Sequence, residues 1–300
     1  MDQNNYTMRS VRSFFIVSLL LLSYSANGQL SPVKKPKNSM ARGTLYGYWG
    51  YNRSGYTKSN IRFVGPGYDF MLNGSVAHDN PSPFKASVYF NPKLITVPQF
   101  NARLGYYFRN HYSVSFGYDH MKYIFADNNN VLLNGTITPG IDTVTDWSGT
   151  YTNFPVVTDR SSFHYENSNG LNYLRLGVER TDNLYQIGDW FMLSSQAGLG
   201  IGGILSFNDF KFAGQEDRVT ISMSGYALSA HAGARFEFFK HFFIQTDLSG
   251  GFMHQVQVRT RANEVNAYAR HKYGYFMFDT VLGFLLYIRP TNDCNSCPVW

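Results

Sequence analysis

Residues 225–238 read Gly-Tyr-Ala-Leu-Ser-Ala-His-Ala-Gly-Ala-Arg-Phe-Glu-Phe. Tyr226, Leu228, Ala230 and Phe236 fall on one phase of this stretch, and His231, Gly233, Arg235 and Glu237 fall on the other. A repeat of two marks a β-strand, because successive side chains point to opposite faces. One face of this strand meets an apolar medium. The other meets a polar one in which charges are tolerated.

The same alternation recurs along the chain and predicts eight strands, near 44–53, 97–109, 111–125, 170–181, 188–206, 219–238, 241–259 and 270–289. Several exceed the roughly 5–6 residues of an ordinary soluble strand. Such lengths suit strands that cross a bilayer at a tilt and continue beyond it. In strands two to eight the strongly apolar phase carries Leu104, Phe116, Leu176, Leu199, Leu228, Leu248, Phe276 and Leu282. The charged residues in their central parts are Arg103, Asp119, Arg175, Glu179, Arg235, Glu237, Asp247 and Asp279, and all lie on the opposite phase. A Lys or Arg facing mid-bilayer lipid costs roughly 2–4 kcal/mol, which explains the exclusion. Gly105, Gly117, Gly177, Gly200 and Gly233 share the charged phase, where small residues make room on the inner wall of a narrow barrel. A soluble barrel carries the reverse polarity, apolar inside and polar outside.

Connection lengths point the same way. Long segments at 54–96 and 126–169 alternate with short turns around Arg109-Asn110-His111, at 182–187 and at Phe239-Lys240; medium loops are expected at 207–218 and 260–269. Short turns at one end and long loops at the other describe an up-and-down barrel with periplasmic turns and outer loops. Phe108, Tyr112, Trp190, Phe238 and Phe242 cluster at the short-turn end, where an aromatic girdle would sit at the membrane interface. Segments 61–71 and 84–90 within the first long loop are expected to form short strands above the membrane.

The fold class expected is therefore all-β: a transmembrane antiparallel up-and-down barrel of eight strands, or ten if loop segments join the wall, with long outer loops. Composition agrees. Of 300 residues, 15% are charged and 17% aromatic. Soluble domains carry about 25% charged residues. Two cysteines exclude a disulfide-stapled scaffold.

The chain divides into a signal peptide (1–28), a basic periplasmic arm (29–43), the barrel (44–290) and a periplasmic tail (291–300). Arg9 and Arg12, the apolar run Phe14 to Leu22 and Ala26-Asn27-Gly28 form the three parts of a cleavable secretory signal. Localisation in an outer membrane follows, and nucleic acid is not an expected partner. Lys34, Lys35, Lys37 and Arg42 make the arm basic, able to touch acidic head groups.

Candidate chemistry falls in three places. The inward charges, together with His231, mix both signs and predict a paired polar network filling the lumen, since eight strands enclose a space only wide enough for side chains. Phe163-His164-Tyr165-Glu166-Asn167-Ser168-Asn169-Gly170 sets His164 and Ser168 before strand four. A serine needs a neighbouring base to become a nucleophile. A spacing of four on an extended strand separates the pair by about 13 Å, so only a bulge or turn could join them. Asp119-His120 is a further rim pair, but strand neighbours point to opposite faces. Cys294 and Cys297 form a CxxC, which can be a redox pair, half a zinc site or a small disulfide; an oxidising compartment favours the disulfide, and no second CxxC is present to complete a metal site. No histidine spacing suggests a metal site, and no cofactor is implied.

Three stretches carry a family resemblance: Leu45-Tyr46-Gly47-Tyr48-Trp49-Gly50-Tyr51-Asn52-Arg53, Gly117-Tyr118-Asp119-His120-Met121-Lys122-Tyr123 and Phe238-Phe239-Lys240-His241-Phe242-Phe243. On these and its architecture the chain resembles the small outer-membrane β-barrel proteins of Bacteroidota-type bacteria. It is similar in size to eight-stranded barrels of the OmpA and OmpX type, which implies a closed, plugged interior. The resemblance implies no catalytic residues. The function expected is a structural or surface-binding barrel acting through its outer loops. The alternatives are a lipid-modifying hydrolase with a rim His/Ser site and an accessory subunit of an envelope complex. Expected partners are outer-membrane lipids and a surface ligand or envelope protein.

Overall fold

The computed structural model describes residues 39–288 except 84, 90, 92 and 95. The expected signal segment, Lys34, Lys35 and Lys37, and Cys294 and Cys297 lie outside the described residues. In chain order the strands are β1 (Thr44–Tyr56), β2 (Ser59–Gly65), β3 (Tyr68–Ser75), β4 (Ala77–His78), then, after the short helix α1 (Ala86–Tyr89), β5 (Phe100–Arg109), β6 (Tyr112–Phe125), β7 (Asn130–Ile137), β8 (Gly149–Val157), β9 (His164–Ile187), β10 (Phe191–Phe212), β11 (Gln215–Phe238), β12 (Phe242–Arg259) and β13 (Tyr268–Tyr287).

Eight of them close a ring in the order β1-β5-β6-β9-β10-β11-β12-β13, every pair antiparallel. Closure comes from β1, which pairs β5 through Leu45↔Tyr106 and β13 through Thr44↔Tyr287. No edge is left in the ring, so every backbone group within lipid has a partner. The turns after β5, β9 and β11 are tight and share one end. In the last, Phe239 and Lys240 both have positive φ (53° and 63°), the conformation that matches strand twist in two-residue hairpins.

Both faces of the wall change polarity with height. On β13 the outward residues from Phe276 to Leu286 are mostly large and apolar, and Leu282 is 64% exposed. On β12 the apolar stretch is Phe242 to Phe252. Each belt is about eleven residues long, matching the roughly 9–11 that a tilted strand needs to cross the hydrocarbon. Inside, at that height, lie Asp279 and Asp247. Higher up, Lys272 and Arg270 face out, while Tyr275, Tyr273 and Ala269 face in. Within lipid the exterior must be apolar, which leaves polar groups for the lumen. Above it water lies outside, and the ordinary hydrophobic arrangement returns.

The upper part is built from the two long loops. β2 joins the top of β13 through Arg62↔Arg270, β3 pairs β2, β7 pairs β3, and β8 pairs β7 as the last strand. β4 pairs β6 through Ala77↔Phe125. These strands fold over an aromatic core of Phe63, Phe70, Phe163, Tyr165, Phe210 and Phe212, all buried. Phe63 stacks on Phe210 at 5.3 Å and meets Phe163 edge-on at 5.3 Å. A smaller cluster containing Tyr46, Tyr48, Tyr107 and Phe243 fills the short-turn end of the barrel.

Three local expectations are corrected. Within segment 84–90, residues 86–89 form α1 and not a strand: the N–H groups of Val88 and Tyr89 both donate to the Lys85 carbonyl, and Tyr89 donates its hydroxyl to Ser82 O at 2.8 Å. Local bonds after the prolines satisfy this backbone without a ladder. The medium loop at 207–218 is a tight hairpin, because β10 and β11 run on above the membrane to a turn at Ala213-Gly214 with φ of 56° and 73°. Residues 182–187 belong to β9, and the turn itself is 188–190. In these stretches the outer face is wet, so clean alternation fades while pairing continues.

Candidate functional site

The ring brings the inward charges together. Arg103, Asp119, Arg175, Glu179, His231, Arg235, Glu237, Asp247 and Asp279 are all buried. Arg103, on β5, reaches Asp119 on β6 and Glu179 on β9, each at 3.3 Å. Arg175 lies 3.4 Å from the second oxygen of Asp119. Glu179 also accepts from Ser115 at 2.7 Å and from the Tyr46 hydroxyl at 2.5 Å, and His231 stands 4.0 Å away. Glycines leave the room for this. A Cβ on Gly105 would lie 2.1 Å from the Tyr46 ring, and one on Gly200 would lie 2.6 Å from the Arg175 side chain.

Lower in the lumen, Arg235 donates to Gln245 at 2.8 Å, Tyr107 at 3.0 Å and Gln196 at 3.3 Å. Its guanidinium also lies 4.3 Å from the centre of the Phe243 ring. Glu237 accepts from Ser39 at 2.7 Å. Asp247 and Asp279 sit directly opposite on β12 and β13. Amides serve each carboxylate: Gln196 and Gln245 donate to Asp247 at 2.6 and 2.7 Å, and Asn101 donates to Asp279 at 2.7 Å. Composition cannot reveal these amides, because Gln and Asn carry no charge to mark them.

At the outer rim β9 presents His164, Glu166 and Ser168 on one face, since residues two apart share a side. Glu166, which the sequence reading passed over, organises the group. His164 Nε2 lies 2.5 Å from one carboxylate oxygen, and Ser168 donates to the other at 2.7 Å. Arg160 adds a third contact at 3.0 Å. Burial raises the Glu166 pKa, but the bonds from His164 and Ser168 and the charges of His164 and Arg160 outweigh it and hold the carboxyl at about 2. Such a carboxylate is too weak a base to take a proton from serine. His164 and Ser168 thus share an acceptor and do not bond to one another. The pairing of β9 with β6 and β10 is irregular between Glu166 and Leu171, yet each group reaches its own oxygen of Glu166.

Opposite, on β10, Asp209 pairs with Glu166 and Lys211 with His164. With Arg160, Glu216 and Arg218 they line an open cleft of about 360 Å³. His120 hydrogen-bonds Asn172 at 2.7 Å and stacks on Phe100 at 5.2 Å. Among the described residues no cluster of His, Cys, Asp and Glu has the arrangement of a metal site. Among the described residues no helix is long and apolar enough to cross a membrane; the crossing is made by strands.

The apolar belt, closed ring and polar lumen are those of an outer-membrane β-barrel. No protein-family model matches the chain, and no curated protein matches it. Solved structures with which it shares parts of its architecture include Ail, the attachment invasion locus protein of Yersinia pestis, in complex with the heparin analogue sucrose octasulfate (13% identity, 82% of this chain and 99% of that one, TM-score 0.30). Others are OprG from Pseudomonas aeruginosa (8% identity, 84% and 100%, TM-score 0.37) and the outer membrane protease OmpT from Escherichia coli (8% identity, 81% and 96%, TM-score 0.31). The last two are outer-membrane proteins.

Proposed function

We propose that this chain is an outer-membrane barrel with a plugged lumen that acts as a surface binding protein through the sheet made by its two long loops. One observation carries the reading. The loops are ordered into β2, β3, β7 and β8 over a buried aromatic core, and β8 is left as an edge strand with Phe154 and Val157 50% and 58% exposed. Large apolar side chains on a rigid platform away from the lipid belt are the usual material of an interaction surface. An edge strand adds unpaired backbone groups that can take up an extended segment. The lumen network supports a structural interior rather than a pore, since ion pairs and amides occupy the space that eight strands enclose.

A rim hydrolase requires His164 to accept the Ser168 proton, whereas Glu166 binds both. The proposal is tested with photo-crosslinking residues placed on intact cells at Phe154 and Val157, with Leu199 in the lipid belt as control. Saturable adducts with a non-lipid partner at the two loop positions, competed by purified barrel, are expected. Their absence overturns the binding reading. A mass spectrum of outer-membrane lipids that changes on overproduction, and reverts with His164→Ala, would install the hydrolase in its place.

A further inference from the structure

Immediately above the lipid belt the outer wall turns basic on one side. On β13 the outward residues beyond Phe276 are Gly274, Lys272 and Arg270, and on β12 Phe252 is followed by His254. Register sets Lys272 directly beside His254, and Arg270 directly beside Arg62 of β2. Lys58, Asn60 and Met71 complete a cleft of about 540 Å³ in this wall. Like charges opposite one another on adjacent strands repel.

The fold offsets little of that repulsion. Arg62 is held by Asp69 through bonds of 2.7 and 2.5 Å. Among the described residues, Lys58, Arg270 and Lys272 make no ion pair with a carboxylate. Burial and the positive charges of Arg270 and Lys272 lower the pKa of His254, which hydrogen-bonds the Tyr226 hydroxyl at 3.2 Å.

We propose that this cleft binds a phosphate group of an anionic glycolipid in the outer leaflet. Height argues for a lipid as the source. Successive outward residues on a strand are about 6.6 Å apart, so Lys272 lies within two such steps of Phe276, the last apolar ring of the belt. Acyl chains packed along Phe252, Phe276 and Phe278 would bring a head group to the level of Lys272 and Arg270. Lysine and arginine side chains at that level reach phosphate oxygens with charge-assisted hydrogen bonds. A bound phosphate supplies the negative charge that Arg270 and Lys272 lack. The inference rests on the transmembrane fold and not on the loop-binding reading, so either can fail alone.

The test uses the full barrel in phosphatidylcholine vesicles doped with bisphosphorylated lipid A, with its dephosphorylated form, or with neither. The barrel is then extracted in mild detergent, and retained lipid is counted by native mass spectrometry. The wild type is expected to keep bisphosphorylated lipid A, and Lys58→Gln/Arg270→Gln/Lys272→Gln to keep at least about tenfold less, since each cation near a charged head group contributes a comparable share. A charge-keeping variant, Lys58→Arg/Arg270→Lys/Lys272→Arg, controls for folding and should retain the lipid. Equal retention by wild type and the glutamine variant, or of phosphorylated and dephosphorylated lipid, overturns the proposal. Inorganic phosphate that competes at equal concentration also overturns it, by making the cleft a site for free anions.

Discussion

Arg103 is held between Asp119 and Glu179 with 1% of its side chain exposed. Removing one member of a buried pair leaves the other charges uncompensated, which costs about 3–5 kcal/mol. Arg103→Leu is therefore expected to destabilise the barrel by that amount in urea unfolding from vesicles. Adding Asp119→Asn should recover part of the loss, because the two residues share one network and their effects do not sum. Glu166 gives a second residue-scale prediction. Its folded pKa of about 2 lies below the ordinary 4.5, so its stabilising contribution is complete above the ordinary carboxylate range and is lost as pH falls through about 2. The hydrogen-exchange protection factors of the β9 entry, residues 164–168, relative to intrinsic rates at each pH, should fall over that window. Glu166→Gln should leave protection low and independent of pH throughout.

At the scale of elements, the loop sheet is joined to the barrel by few backbone pairs and many rings. β2 meets β13 over Tyr268↔Val64 to Arg270↔Arg62 only. Phe163 touches Phe63, Phe70, Phe125, Trp147, Phe210 and Phe212, linking loop strands to ring strands. Phe163→Ala opens a cavity in that cluster worth about 3–5 kcal/mol. The expected outcome is local: protease added outside vesicles should cut within 126–162, while the ring remains resistant. Cleavage of the ring at the same protease concentration would show that the two parts unfold together.

For the whole molecule, lipid is the solvent that organises the wall. Leu282 lies near the middle of the β13 belt, and Val265, 74% exposed, lies in the outer loop before that strand. Leu282→Arg should cost roughly 2–4 kcal/mol of unfolding free energy in vesicles, and Val265→Arg close to nothing. Equal effects would place the bilayer elsewhere on the barrel. The same contrast explains which long strands were legible. Wherever lipid touches a strand, each outward residue is constrained on its own, whatever its partner. Above the lipid, β9, β10 and β11 continue with weaker alternation, and their true ends at His164, Phe212 and Gln215 lay beyond the predicted ones.

The eight ring strands, their facing, and the end at which the short turns gather could be read from the sequence, because a bilayer imposes a rule on single residues at a spacing of two. The same rule placed all nine lumen residues on the inner phase. Tertiary structure alone decided which of them meet. Arg103 bridges two acids from different strands, and Gln196, Gln245 and Asn101 donate to the facing pair Asp247 and Asp279. It also decided that strands of the two long loops join as one sheet, that Glu166 stands between His164 and Ser168, and that Arg62 comes to lie beside Arg270. Each of these depends on the pairing of segments far apart in the chain. Such pairing is set by barrel closure and register, which leave no local periodicity to read.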